Sequence, residues 1–376
     1  MSGPICSRLR YSTGFPQKAS IRLIWWNFPS CSVTSASLSS PARRISSPAS
    51  RQTHFGVDFA CAYVAFSTAG WSAMDFLLYN FCAFALQMPL GLLTDHLRNG
   101  RKMALWGGLL VIPACLLPIP ARTVVILSGL GNAMFHVGAG HRVLTISERG
   151  KIAPLGVFVS PGAIGIGLGR LAAGRTEVGA FVALLVLIVS LIPYMICRRS
   201  GSAKSAPARL PERKAFLLPA LLLFLVVVLR SVGGMAAPSG WKSGGWALPA
   251  IFAAASGKAA GGFLADRSGR RKTGLLSLGA AAACYLLCDM HPMFGVLGVF
   301  TFQMTMPITL FEMAERMPRC RAFSFGLLTF GLFIGFLPVW FGMRPLTGAE
   351  TALTALLSGG LLLLALRGDS AKGGVA

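Results

Sequence analysis

The feature that most limits what this chain can become is a regular series of apolar runs, each long enough to cross a bilayer and separated from the next by a short polar loop. A bilayer core takes about 20 apolar residues per helix, and in lipid the backbone must satisfy its own polar groups, so such runs become transmembrane helices. One set lies at 53–71, 73–94, 103–120, 123–142, 153–174 and 178–197. A second lies at 216–237, 246–265, 273–289, 293–311, 322–341 and 350–366. The expected fold class is an all-α membrane protein with twelve transmembrane helices in two six-helix bundles. Composition agrees, because 54% hydrophobic and 12% charged residues, with a mean hydropathy of +0.65, leave too few solvating side chains for a soluble protein.

The remaining segments divide around these sets. Residues 1–50 are rich in Ser and Arg, contain no acid and hold no run long enough to span. They read as a disordered basic extension, either of the transit-peptide kind or a mis-called upstream start. Residues 51–197 form the first bundle, 198–215 a basic cytoplasmic linker, 216–367 the second bundle and 368–376 a tail. With the first 50 residues set aside, the loops after even-numbered runs carry most Lys and Arg, and the opposite side holds only Arg122, Arg170, Arg175, Lys242 and Arg344. Basic loops stay cytoplasmic, so the chain is expected in the cytoplasmic (inner) membrane with both termini inside. The net charge of +23 comes from these clusters, and no nucleic-acid partner is expected from it. The nine cysteines include no CxxC pair and no His/Cys group at zinc spacing, so no metal is expected.

The loop after the eighth run reads Gly262, Phe263, Leu264, Ala265, Asp266, Arg267, Ser268, Gly269, Arg270, Arg271, Lys272. A small Gly262 lets two helices approach, Asp266 can accept hydrogen bonds at a helix end, Gly269 permits a tight turn and the Arg cluster anchors to the cytoplasmic leaflet. Such a loop can latch gating helices. The loop after the second run carries a related pattern, with Gly91, Asp95, Arg98, Gly100 and Arg101. Two copies at the same place in each half form an internal repeat. The Gly262–Lys272 loop after the eighth run resembles the GxLADRxGRR signature of the major facilitator superfamily at every defined position, and the loop after the second run resembles it more weakly; the resemblance implies two six-helix halves rocking about a central site.

Ionisable residues inside spans are costly and are functional candidates for that reason. His54 and Asp58 sit four residues apart on one face of the first run. In the fourth, Asn132 and His136 are spaced likewise. Asp58 lies about five residues from the cytoplasmic end of its run and His136 about six from its own, roughly 8 to 9 Å in at 1.5 Å per residue. Equal depth allows a titratable pair; the alternative is that both histidines merely satisfy nearby backbone groups. These segments, with the Arg149–Gly150 pair and a glycine-rich fifth run, are similar to the fosmidomycin-resistance branch of the superfamily. In the family fold the first and fourth helices line the cavity, which implies that Asp58, His136 and His54 are proton-coupling residues.

The fifth run, with Gly162, Gly165, Gly167 and Gly169, resembles the glycine and proline motif of antiporters, with Arg170 where that motif has proline; close helix packing explains it equally. In the second half, Arg230 lies deep in the seventh run and Gln303 in the middle of the tenth. Arg230 could fork onto an anionic solute, pair with a structural partner or reach for the outer face. Arg230, Gln303 and Asn132 are the substrate-binding candidates. Lys258 is expected to pair locally or to snorkel, and Asp75 to be interfacial.

The expected function is secondary active transport of a small organic solute by alternating access, coupled to protons and, by resemblance, in the direction of drug or metabolite efflux. Uptake by a permease is the rival within the class, and a non-transporting receptor or scaffold is the rival outside it. No HExxH, GxSxG, P-loop or paired-carboxylate motif suggests an enzyme, a cofactor or direct ATP drive. The partners expected are the solute, protons and lipid around a monomer.

Overall fold

The computed structural model describes residues 48–67, 71–146, 150–173, 178–196, 216–238 and 240–367. The expected extension lies outside them except for Pro48, Ala49 and Ser50, which open the first helix with Ala49 and Ser50 buried. The linker (198–215) and the tail (368–376) lie wholly outside the described residues.

Every apolar run becomes helix. In chain order these are α1 (Pro48–Ser67), α2 (Ala73–Asn80), α3 (Gln87–Leu97), α4 (Gly100–Leu116), α5 (Ala121–Ile146), α6 (Ala153–Ala173) and α7 (Val178–Ile196). They are followed by α8 (Leu217–Ala236), α9 (Ala247–Ser268), α10 (Arg270–Leu286), α11 (Pro292–Gln303), α12 (Thr305–Arg316), α13 (Arg321–Trp340) and α14 (Gly348–Ala365). Two apolar runs are interrupted. Between α2 and α3 a π-helical turn, Phe81–Ala85, is closed by the Leu86 amide on the Phe81 carbonyl at 3.1 Å, the i to i+5 pattern that widens a helix by one residue. Between α11 and α12 the ladder breaks at Met304, immediately after Gln303.

Among the described residues, nine stretches are long and apolar enough to cross a membrane. The helices α1, α4 and α10 fall outside that set for simple reasons. The last two have 17 residues each, about 26 Å at 1.5 Å per residue, a little short of a hydrocarbon core of about 30 Å. α1 is long enough, but Arg51, His54 and Asp58 lower its apolar balance. The side-chain distribution is that of a protein in lipid. On α7, Phe181, Leu185, Ile188 and Ile192 recur every three or four residues and all are exposed, which gives that helix an apolar outer face.

Helices α1 to α7 pack chiefly on one another, as do α8 to α14, and the two sets meet where α6 lies on α9 and α3 on α13. Small residues make these junctions possible. A Cβ at Gly91 would strike the backbone of Ala322 and Phe323 on α13, and one at Gly262 the backbone of Ile152 and Ala153 at the start of α6. Gly162, Gly165 and Gly169 of α6 lie directly against α1, while Gly167 faces Ile251 of α9. The glycines of the fifth run are therefore accounted for by close packing.

Candidate functional site

Four residues on two helices converge in the first half. His54 and Asp58 are one turn apart on α1, so they share a face, and the His54 Nε2 lies 3.2 Å from an Asp58 carboxylate oxygen. From α5, His136 brings its Nε2 to 3.4 Å from the other carboxylate oxygen and 3.0 Å from the His54 Nε2. Asn132, one turn before His136, donates from Nδ2 to Asp58 at 3.1 Å. The side chains of His54 and Asp58 are almost wholly buried, while His136 keeps 13% exposure. His136 is thus the member through which the cluster meets its surroundings.

The tautomers follow from the partners. The Nδ1 of His54 lies 2.7 Å from the Phe158 carbonyl, and that of His136 lies 2.9 Å from the Asn132 carbonyl. A carbonyl only accepts, so each Nδ1 carries hydrogen and each neutral ring turns a lone pair inward at Nε2. One ligand atom from each of His54, Asp58 and His136 falls within 4.8 Å of the others, so this is the group among the described residues that could hold a metal.

The structure brings Asp58 and His136 side by side, and each lies farther from the end of its helix than from the end of its apolar run. α1 begins at Pro48 and α5 ends at Ile146, which sets each residue about ten positions from the helix end, or about 15 Å. The helices outrun the apolar runs because polar Arg51 and Gln52 mask the start of the first and the tail of α5 is polar.

In the second half Arg230 of α8 is buried and donates to the Gln303 side-chain oxygen at 3.4 Å. Its guanidinium lies 5.3 Å from the Phe302 ring centre, within cation–π range, and its Nε has no hydrogen-bond partner. Gln303 stands where the α11–α12 stretch is broken. Lys258 of α9 makes no ion pair among the described residues, and it lies within electrostatic range of Asp58, His136 and Arg230. The local pairing expected of Lys258 is not found; instead it stands between the two groups. Asn132 is engaged with Asp58. Asp75 closes a capping box with Ser72 at the start of α2 and faces Arg122 at 3.9 Å.

The repeated loops tie the halves together in the same manner. Asp95 at the end of α3 accepts from the amides of Ala322 and Phe323 at 3.0 and 2.8 Å, at the N-terminus of α13. Asp266 near the end of α9 accepts from those of Ile152 and Ala153 at 2.7 and 3.1 Å, at the N-terminus of α6. Each carboxylate thus satisfies orphan amides and faces the positive end of a helix dipole. Gly262 approaches the backbone of Ile152 and Ala153, and Gly100 that of Gly138. Arg101 donates to the Met195 carbonyl at 2.9 Å. Gly269 adopts φ +88°, and Arg267 is exposed. Sequence reasoning missed Glu312 of α12, which is buried between Arg316, one turn on, and Arg270 at 2.8 Å; the Glu312–Arg316 spacing was its visible signal.

No sequence-family profile matches the chain, and no curated protein matches it by sequence. Solved structures do. The chain is similar to FucP, described as a major facilitator superfamily transporter in the outward conformation, with a TM-score of 0.60 at 12% identity over 85% of this chain and 98% of that one. A second FucP structure is described as the E. coli fucose:proton symporter, with a TM-score of 0.59 at 12% identity over the same shares. The human organic anion transporter MFSD10 (TETRAN) gives a TM-score of 0.62 at 12% identity, covering 86% of this chain and all of that one. The chain is a multi-pass membrane protein with the fold of the major facilitator superfamily transporters.

Proposed function

We propose that this chain is a secondary active transporter that moves a small organic solute across the cytoplasmic membrane by alternating access, coupled to protons. Its twelve spans are the nine apolar stretches with α1, α4 and α10, arranged as two six-helix bundles with both termini cytoplasmic, and the working unit is a monomer. The observation that carries the reading is the buried cluster of Asp58, His54 and His136, set well inside α1 and α5. An acid and two imidazoles so placed can take up a proton from one side and release it to the other.

Across from the cluster, Arg230 and Gln303 are the solute contacts, with Lys258 between. A buried Arg230 and a half-buried Lys258, neither in an ion pair with a carboxylate among the described residues, suit an anionic solute, in keeping with the organic anion transport named for one structural neighbour. The resemblance to the fosmidomycin-resistance branch favours export. Symport into the cell is the second reading, favoured by the neighbour described as a fucose:proton symporter.

The test is flux in proteoliposomes against a panel of organic anions, with and without an imposed pH gradient. The gradient should drive accumulation, its sign giving the direction. Asp58→Asn keeps the shape and removes the charge, so it should abolish gradient-driven flux while leaving counterflow exchange partly intact. Full pH-dependent transport by that variant would sink the coupling role.

A further inference from the structure

We infer that His54, Asp58 and His136 form a binding site for a single divalent transition-metal ion of the zinc type. The inference goes beyond proton coupling and holds whether or not these groups move protons, because it rests on the geometry of three electron-pair donors. With both Nδ1 atoms committed to the carbonyls of Phe158 and Asn132, the two Nε2 lone pairs and the Asp58 carboxylate point at one another. They are separated by 3.0, 3.2 and 3.4 Å. Three acceptors cannot satisfy one another, and a cation must sit among them.

The spacing fits more than a proton. Ligands held about 2.0–2.1 Å from a tetrahedral zinc ion lie about 3.3 Å apart, close to the Nε2–Nε2 separation and to the distance from each Nε2 to its own nearer Asp58 oxygen, and one ligand atom from each of the three residues lies within 4.8 Å of the others. The surroundings are those of a metal centre as well. Each imidazole donates its other nitrogen to a backbone carbonyl and Asn132 holds the carboxylate, which is how outer groups fix the tautomer and orientation of ligands. Two imidazoles and one carboxylate are a donor set for zinc and its first-row neighbours, and a poor one for Mg²⁺ or Ca²⁺, which take mostly oxygen. Three protein ligands leave a fourth position open, on the side where His136 keeps its exposure. Gly162 is part of the site, since a Cβ there would strike both Asp58 and the His54 Nε2. Lys258, within electrostatic range of Asp58 and His136, opposes a second positive charge and favours an ion that exchanges over one permanently held.

The experiment is calorimetric titration of the purified full chain in detergent, stripped with a chelator and freed of any purification tag, with Zn²⁺ and separately with Mg²⁺. One equivalent of Zn²⁺ should bind and Mg²⁺ should give no saturable heat. His136→Asn and Asp58→Asn should each weaken Zn²⁺ at least about tenfold, while His291→Ala, at a distant helix cap, should leave it unchanged. Co²⁺ should give the visible d–d bands of a tetrahedral ion in the wild type and lose them in His136→Asn. A size-exclusion profile verifies that each variant is folded. Absence of stoichiometric Zn²⁺ binding by the wild type would overturn the proposal, as would unchanged affinity in both variants or equal binding of Mg²⁺. Proton-driven flux is read separately, so failure of either proposal leaves the other standing.

Discussion

Gly162 sits where a side chain would enter the cluster. A Cβ there would collide with the Asp58 carboxylate and the His54 ring, and neither group can retreat, because His54 is tied to Phe158 and Asp58 to Asn132. Gly234 on α8 has nothing within 4 Å of the same atom. Gly162→Ala should therefore cost about 1–3 kcal/mol through overpacking, lowering the thermal midpoint in detergent, and should depress flux. Gly234→Ala should hold or raise the midpoint, since alanine loses less backbone freedom in a helix. Equal midpoints for the two variants would show that α6 can shift away from α1, and the tight contact would lose its meaning. The residue scale also shows what spacing alone hid. His54, Asp58, Asn132 and His136 were legible from two i,i+4 pairs, but which nitrogen faces which depends on carbonyls from α6 and α5 that no pattern within α1 reveals.

At the scale of helices, the two loop carboxylates act as matching clasps. Each accepts two amides at the first turn of a helix from the other half, an interaction of about 0.3–2 kcal/mol for a charge at a helix N-terminus. In the proposed alternating-access cycle, opening the side that carries the clasps breaks both, which biases the equilibrium toward the state closed on that side. Asp95→Asn and Asp266→Asn should each raise the population open to the cytoplasm by up to roughly tenfold per 1.4 kcal/mol lost. Electron–electron distance measurements between spin labels on the cytoplasmic ends of α3 and α13, or of α6 and α9, would report it. The clasps join different helix pairs, so the two effects should add in the double variant; unchanged distances in both single variants would mean that the contacts do not hold the closed state. Element positions were largely legible, because apolar runs of spanning length leave the backbone little choice but helix. The π-helical turn at Phe81–Ala85 and the break at Met304 were not, since both fall inside unbroken apolar sequence and are set by packing. Glu312 escaped for a related reason: its partner Arg270 lies on α10, more than forty residues earlier, where helical spacing carries no information.

For the whole molecule, the two halves and the membrane sides are linked claims. The clasps place the loops after α3 and α9 on one face of the protein, together with the N-termini of α6 and α13. Those segments carry Arg98, Arg101, Lys102, Arg270, Arg271 and Lys272, and the face opposite carries few basic residues, among them Arg344, which pairs with Glu350 at 2.5 Å. The proposed orientation rests on the bias of basic residues toward the cytoplasm, counted with the first 50 residues set aside. In a background with its cysteines replaced, Arg344→Cys should react with a membrane-impermeant maleimide added to intact cells, and Arg271→Cys only after the membrane is permeabilised. The reverse pattern would invert the protein and carry the clasps to the outer face, where release of Asp95 and Asp266 would open the wrong side for a cytoplasmic gate. Labelling of both positions from outside would place the loop after α9 and the loop before α14 on the same face. The alternation of spans between those loops would then be broken, and with it the reading of twelve crossings.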